Sequence, residues 1–278
     1  MYKKNCGDNN PPRISVIMPN LNGARFLEET ILSVLTQGYS NLEYIICDGG
    51  STDGSVKIIQ EHEKSLAYWC SERDEGQADA FHKGCHFATG EILYWLDSDD
   101  VLLPGALETV GRYFLAHPEI EAVSAGCKSI DEHGRLAGSA FGCYSLGVRA
   151  SYRRFITFGQ DGVFQQGVFW KRTAYEAVGG VDIHWQFIND LELFSRLAER
   201  KRFGRLPKII ALRRLHSAAK SFTIEHIRIA EERAWRCSHS NCEARGWRRS
   251  FWFCLYRSHN LATKMWLRFL RLSRVVHV

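Results

Sequence analysis

The sequence predicts an α/β protein, with a Rossmann-type, mostly parallel sheet, helices on both faces and a basic helical C-terminal extension. Three observations carry this. Short apolar runs alternate with amphipathic stretches of helical period through roughly the first 120 residues. The apolar runs end in Asn, Asp, Ser or Gly, the residues of turns. Charge is divided unevenly: half of the 36 Lys and Arg lie after residue 200, beside only four of the 31 Asp and Glu, and such an asymmetry marks separate roles along a chain.

Each element has its own signal. ISVIM (Ile14–Met18) is a β-prone run closed by Pro19 and Asn20. In ARFLEETILSVLTQ, Phe26, Leu27, Thr30, Ile31, Val34 and Leu35 recur at helical spacing, and Gly38 is a stop. LEYIIC (Leu42–Cys47) reads as a second strand, and the helix Val56–His62 follows with Asp53 or Ser55 as its cap. LAYWC (Leu66–Cys70) is a third strand, Ala78–Thr89 a helix stopped by Gly90, and EILYWL (Glu91–Leu96) a fourth strand. A helix is expected from after Pro104 to about His117, then a strand at Glu121–Ala125 and a turn at Asp131–Arg135. Further on, Lys171–Val178 and Asp190–Arg200 read as helices, with strands near Val163–Trp170 and Arg205–Arg213.

Length and composition set bounds. With 278 residues, 45% hydrophobic and 24% charged, the chain has the proportions of an ordinary globular protein. No run reaches the roughly 18 apolar residues of a membrane span, and MYKKNCGDNNPP lacks the apolar stretch of a signal peptide, so a cytoplasmic location is expected. The nine cysteines are odd in number and scattered, which favours reduced thiols over a disulfide framework. CSHSNC (Cys237–Cys242) with His259 matches no standard structural zinc spacing.

Parallel α/β sheets place ligands at the carboxyl ends of their strands, and here those ends are polar: Asn20 and Asn22, then Asp48 and its glycines, then Glu72, Arg73 and Asp74, then Asp97, Asp99 and Asp100. Three carboxylates in the turn after YWL repel one another, since two unit charges ~4 Å apart interact with about 4 kcal/mol near a protein surface. A hard cation, Mg²⁺ or Mn²⁺, is a natural partner. Taken alone, the turn reads equally well as an exposed helix-capping turn; the convergence of four strand ends favours the site. Neither the dinucleotide glycine motif nor the P-loop occurs.

PNLNGARFLEETILSVLTQ, YIICDGGSTDGS, SERDEGQADAFHKG and ATGEILYWLDSDD, in this order, resemble the amino-terminal half of family 2 glycosyltransferases of the GT-A fold. The likeness is specific over about residues 13–110 and extends more weakly to about residue 220. It implies an inverting transfer from a nucleoside-diphosphate sugar, UDP- or GDP-linked, to a glycan or lipid-linked glycan acceptor in envelope or extracellular polysaccharide or lipopolysaccharide assembly. It also implies a donor site at Pro19, Asn20, Asn22, Asp48, Gly49, Glu72, Arg73, Asp74, Gln77, Asp97, Ser98 and Gln166, with Mn²⁺ or Mg²⁺ on Asp99, joined by Asp97 and His216.

Gly179–Arg200 resembles the family's acceptor-side motif, which places the catalytic base at Asp190; read without the resemblance, Asn189 or Asp190 simply caps a helix. Three positions depart from the pattern: Gly49 and Asn189 stand where Asp and Glu are common, and Asp97 stands where subfamilies sharing SERDEGQADA often have Asn, which adds a ligand. Gln165 and the RRLHS string (Arg213–Ser217) also resemble positions lining the donor.

The domain plan is then a tail at 1–12, a GT-A domain at 13–220 with its donor half at about 13–110 and its acceptor half at about 111–220, and a basic aromatic extension at 221–278. Two readings of residues 246–278 stay open: docking on an anionic membrane surface, which would make the protein peripheral on the inner face, or packing on the core domain. No nucleic-acid module accompanies the charge, so nucleic acid is set aside as a partner. A catalytically silent nucleotide-sugar-binding module is the alternative function, and a metal-dependent nucleotidyltransferase a weaker one, since no glycine-rich loop follows Met18.

Overall fold

The computed structural model describes residues 10–137, 144–146 and 163–239. Its sheet is built from β1 (Ile14–Asn20), β2 (Leu42–Asp48), β3 (Tyr68–Ser71), β4 (Ile92–Trp95), β5 (Val101–Leu102), β6 (Ala122–Asp131), β7 (Tyr144–Leu146), β8 (Val168–Lys171) and β9 (Phe203–Leu215). The order across it is β3-β2-β1-β4-β8-β6-β9-β5, with β7 on β6. The first four strands in this order pair in parallel, as do β6 and β9; β8 joins the two groups by antiparallel pairing to β4 and β6. The mostly parallel sheet read from the sequence is present.

Every residue of β1 is buried, as expected where helices cover both faces. Alternate side chains go to opposite cores. Ile17, Ile45, Leu93 and Trp95 meet α3 (Gln77–Phe87), α5 (Arg172–Ala177) and α6 (Asn189–Glu199), through Phe81, Tyr175, Leu193 and Phe194. On the other face Val16, Met18, Ile46 and Tyr94 meet α1 (Ala24–Leu35), α2 (Ser55–Glu61) and α4 (Ala106–Ala116), through Leu27, Ile31, Ile59, Leu107 and Val110. The Phe81 and Trp95 rings stack 4.1 Å apart. At Gly84, on α3, a Cβ would lie 2.4 Å from Ile17 Cγ2, so glycine lets this helix approach the sheet.

Register determines what gathers at one edge. Asn20 lies beside Asp48, and Asp48 beside Ser71. Because β8 runs antiparallel to β4, the 3-10 turn Gln165–Gly167 before it stands level with the end of β4. β9 extends to Leu215 alongside Asp131 and delivers Arg214 and His216 to the same edge. β6 is longer than the sequence suggested because its ladder with β9 continues through an irregularity at Ala125–Cys127.

After α7 (Lys220–Thr223), α8 (Glu225–His239) buries Trp235 completely in the core beneath α3 and α6. The chain divides into a compact unit ending at Trp235 and a second unit from Arg236; of the latter, residues 236–239 are described. Residues 246–278, Cys6, Cys143, Cys242, Cys254 and His259 lie outside the described residues. Among the described residues, Cys47, Cys70, Cys85, Cys127 and Cys237 are free thiols, and no helix is long and apolar enough to cross a membrane.

Candidate active site

Carboxylate oxygens of Asp97, Asp99 and Asp100 lie within 4.8 Å of one another, and each residue has a different partner. Asp100 is buried, its Oδ1 accepting from Arg214 N at 2.8 Å and its Oδ2 from Gln166 Nε2 at 2.6 Å. Asp99 Oδ2 lies 2.9 Å from His216 Nε2. Asp97 Oδ1 accepts from Gln77 Nε2 at 2.6 Å, and Gln77 Oε1 accepts from Lys220 Nζ at 2.9 Å.

Burial and the Asp99 charge push Asp97 up to about 7, with only partial relief from Lys220. Burial and the same neighbouring charges hold Asp100 well above the usual carboxylate range. Arg214 supplies part of the relief through its backbone N–H on Asp100, and its side chain, 2% exposed, braces the turn: Nε donates to Asp99 O at 2.9 Å and its second terminal nitrogen to Glu29 Oε2 at 2.7 Å. Its guanidinium lies over the Phe26 ring at 4.6 Å, and His216 meets the same ring at 4.9 Å.

This donor set fits a hard divalent cation. Asp100 is buried with both its oxygens on protein donors, whereas Asp97 and Asp99 are half-buried, one oxygen of Asp97 taking Gln77 and the His216 imidazole lying beside Asp99, and these present oxygen and nitrogen ligands. Ser98 contributes its carbonyl, which accepts from Thr30 Oγ1 at 3.0 Å and braces the turn on α1.

Asp48 has a different role from an open ligand. It is 1% exposed and takes five donors: Asn20 Nδ2 (2.6 Å) and Ser51 Oγ (2.5 Å) on Oδ1, and Ser71 Oγ (2.6 Å), Ser51 N (2.9 Å) and Gly50 N (3.1 Å) on Oδ2. Burial opposes ionisation, yet these hydrogen bonds hold its carboxyl below the ordinary value. A carboxylate offers about four lone-pair directions, so Asp48 is saturated and ties the ends of β1, β2 and β3 together. Asn20 Oδ1, by contrast, is buried without a partner.

Gly49 explains one departure from the family pattern. A Cβ there would lie 2.4 Å from Asp74 Oδ2: the Asp74 carboxylate, from the next loop, fills the space a side chain at position 49 would take. Burial raises Asp74 above the usual range despite its bond from Gly76 N. Asn22 stands at φ 52° and is stapled to the second loop, its N donating to Ser51 Oγ and its Oδ1 accepting from Thr52 N. Pro19 is buried within β1. Glu72 and Arg73 are exposed at the rim, Glu72 paired with Lys83 at 3.0 Å.

Asp190, in the first turn of α6, is close enough to Asp97 and Lys220 to perturb both. Asn189 Oδ1 and Asp190 Oδ1 each accept from the backbone N–H of the residue that follows, at 2.9 and 2.7 Å. Gln166 serves Asp100, while Gln165 Nε2 donates to Trp95 O at 2.5 Å. Arg214, Lys220 and Ser71 carry parts of the site that the sequence reading did not single out as such. Arg214 lies within RRLHS, and nothing in that string says which of its two arginines turns inward.

The family model described as Glycosyl transferase family 2 matches residues 15–176. An uncharacterised glycosyltransferase of Nostoc is 41% identical over 105 residues, 37% of this chain and 33% of the relative; one from Mycobacterium tuberculosis is 30% identical over 193 residues, 67% and 69%. The chain thus spans a third of the Nostoc protein, and 21% of the hyaluronan synthase of Pasteurella multocida, to which it is 26% identical over 217 residues, 75% of this chain. Among solved structures, S. aureus TarS 1-349 in complex with UDP-GlcNAc superposes with TM-score 0.61 at 15% identity, covering 83% of this chain and 68% of that one. The mannosyltransferase PcManGT from Pyrobaculum calidifontis, in complex with GDP-Man and Mn²⁺, gives 0.59 at 20% identity, covering 86% and 66%.

Proposed function

We propose, for a chain that belongs to glycosyl transferase family 2, that its acidic edge cleaves a nucleoside-diphosphate sugar and passes the sugar, with inversion, to an acceptor hydroxyl. The observation that carries this reading is the gathering of Asp97, Asp99 and His216 at the carboxyl ends of the strands, with Lys220 linked to Asp97 through Gln77; the Asp190 charge acts on both Asp97 and Lys220. The relatives named for hyaluronan and chondroitin synthesis, and neighbours holding UDP-GlcNAc or GDP-Man with Mn²⁺, support a nucleotide-sugar donor and a role in polysaccharide assembly.

Asp97, Asp99 and His216 would hold Mn²⁺ or Mg²⁺, which when bound offsets charge on the departing diphosphate. Asn20, with its free Oδ1, and Asp74 face the nucleoside side; the saturated Asp48 keeps their loops in place. Lys220 adds a positive charge between the donor and acceptor halves. Asp190 takes the proton from the acceptor hydroxyl as the oxygen attacks the anomeric carbon; the anomeric bond to the diphosphate breaks on the opposite side. A glycan or lipid-linked glycan is the proposed acceptor class, and residues 246–278 an anionic-membrane contact.

The Asp190→Asn variant tests the assignment. Transfer should fall roughly 10²- to 10⁴-fold, the usual range for a general base, while UDP-GlcNAc or GDP-mannose binding stays within about twofold of wild type. Near-normal turnover would remove Asp190 from this role. A silent binding module would instead bind these donors and turn over none.

A further inference from the structure

Glu231 stands on α8, yet its carboxylate holds three successive backbone N–H groups of the loop leading into α6. Gln186 N donates to Oε1 at 2.8 Å, and Phe187 N and Ile188 N to Oε2 at 2.8 and 3.1 Å. Ile188 is the residue before the first turn of α6, and its own side chain makes no capping hydrogen bond. In a capping box the third helical residue reaches back to this N–H. Here that residue is Leu191, which has no acceptor, and Glu231 supplies it from another helix.

A carboxylate at this end also favours the positive pole of α6. Trp235, one turn after Glu231 and on the same side of α8, is fully buried, which fixes that side against the body. Lys220 lies near enough to Asp97, Asp190 and Glu231 to feel all three charges.

We propose that Glu231 is a positioning residue for glycosyl transfer: by holding residues 186–188 it sets where Asp190 stands, so that α8, beyond the family-matched region, completes the acceptor half. This rests on Asp190 being the base.

The test uses full-length Glu231→Gln and Glu231→Ala. Gln keeps the size but has a single acceptor oxygen, so at least one of the three N–H groups loses its partner. Cleavage of UDP-GlcNAc, UDP-glucose, UDP-glucuronate and GDP-mannose with Mn²⁺ is measured beside amide hydrogen exchange across 186–190 and thermal melting. The expected result is faster exchange at 186–188 and a kcat lower by roughly ten- to a hundredfold, the scale of a small misplacement, with donor KM within about twofold.

Faster exchange with unchanged kcat, a parallel change in donor KM, or no change in exchange would each overturn the proposal. Should the Ala variant unfold, the Gln variant carries the same comparison. Wild type that cleaves none of the donors would sink the functional reading itself and this inference with it, whereas active wild type and an equally active Glu231→Gln sink the inference alone.

Discussion

Gly49 and Asp74 meet more tightly than van der Waals radii would allow any other residue at position 49. The Gly49→Ala variant should drive the Asp74 carboxylate from its place, destabilise the protein by about 1–3 kcal/mol as overpacking does, and weaken donor affinity; melting temperature and nucleotide titration check both. At this scale the sequence was only partly legible. Asp97, Asp99, His216 and Asp190 could be named because the motifs carry them in order. That Asp48 is saturated by five donors could not be read, because two of them, Asn20 and Ser71, come from other strands, and pairing register is not written in either string alone. Nor could the sequence say that Asp74 fills the space above Gly49.

Strand β9 and the helices that follow it determine whether the acidic turn is held. Arg214 is the contact between β9 and that turn, and its side chain also crosses to Glu29 on α1. Replacing it by Met retains bulk and the backbone N–H on Asp100 but leaves the carbonyl of Asp99 and the Glu29 carboxylate without their donor. A loss of about 1–3 kcal/mol is expected, as when a buried acceptor is left without its donor, measured by urea unfolding. The strands and helices up to α4, apart from the two-residue β5, were legible to within a few residues because apolar period and turn residues agree there. The acceptor-side boundary was less so. α8 is mostly polar, its inward side carrying Glu231 and Arg228 beside a single buried Trp235, so periodicity gives little sign that it belongs to the compact unit.

The whole molecule should respond to pH in two separate windows. Asp48 and Glu43 are held below their ordinary values by hydrogen bonds that outweigh burial. The stability they contribute is therefore full above about pH 4–4.5 and is lost as pH falls through their lower folded values. Asp97 has the opposite sign: raised to about 7 from 3.8, it binds its proton more tightly in the folded state, so without a cation stability declines as pH rises from about 4 to 7. Asp97→Asn should flatten that decline. A cation must displace the same proton, so apparent Mn²⁺ affinity should weaken by up to about tenfold per pH unit below 7.

The most direct measurement is nucleoside diphosphate release from UDP-GlcNAc, UDP-glucose, UDP-glucuronate and GDP-mannose at pH 8, with Mn²⁺ and after its removal by EDTA, in wild type and Asp99→Asn. Release from at least one donor that needs the ion and falls at least a hundredfold in the variant is the predicted result. Release unaffected by both EDTA and Asp99→Asn, or no release from any of the four, would contradict the account.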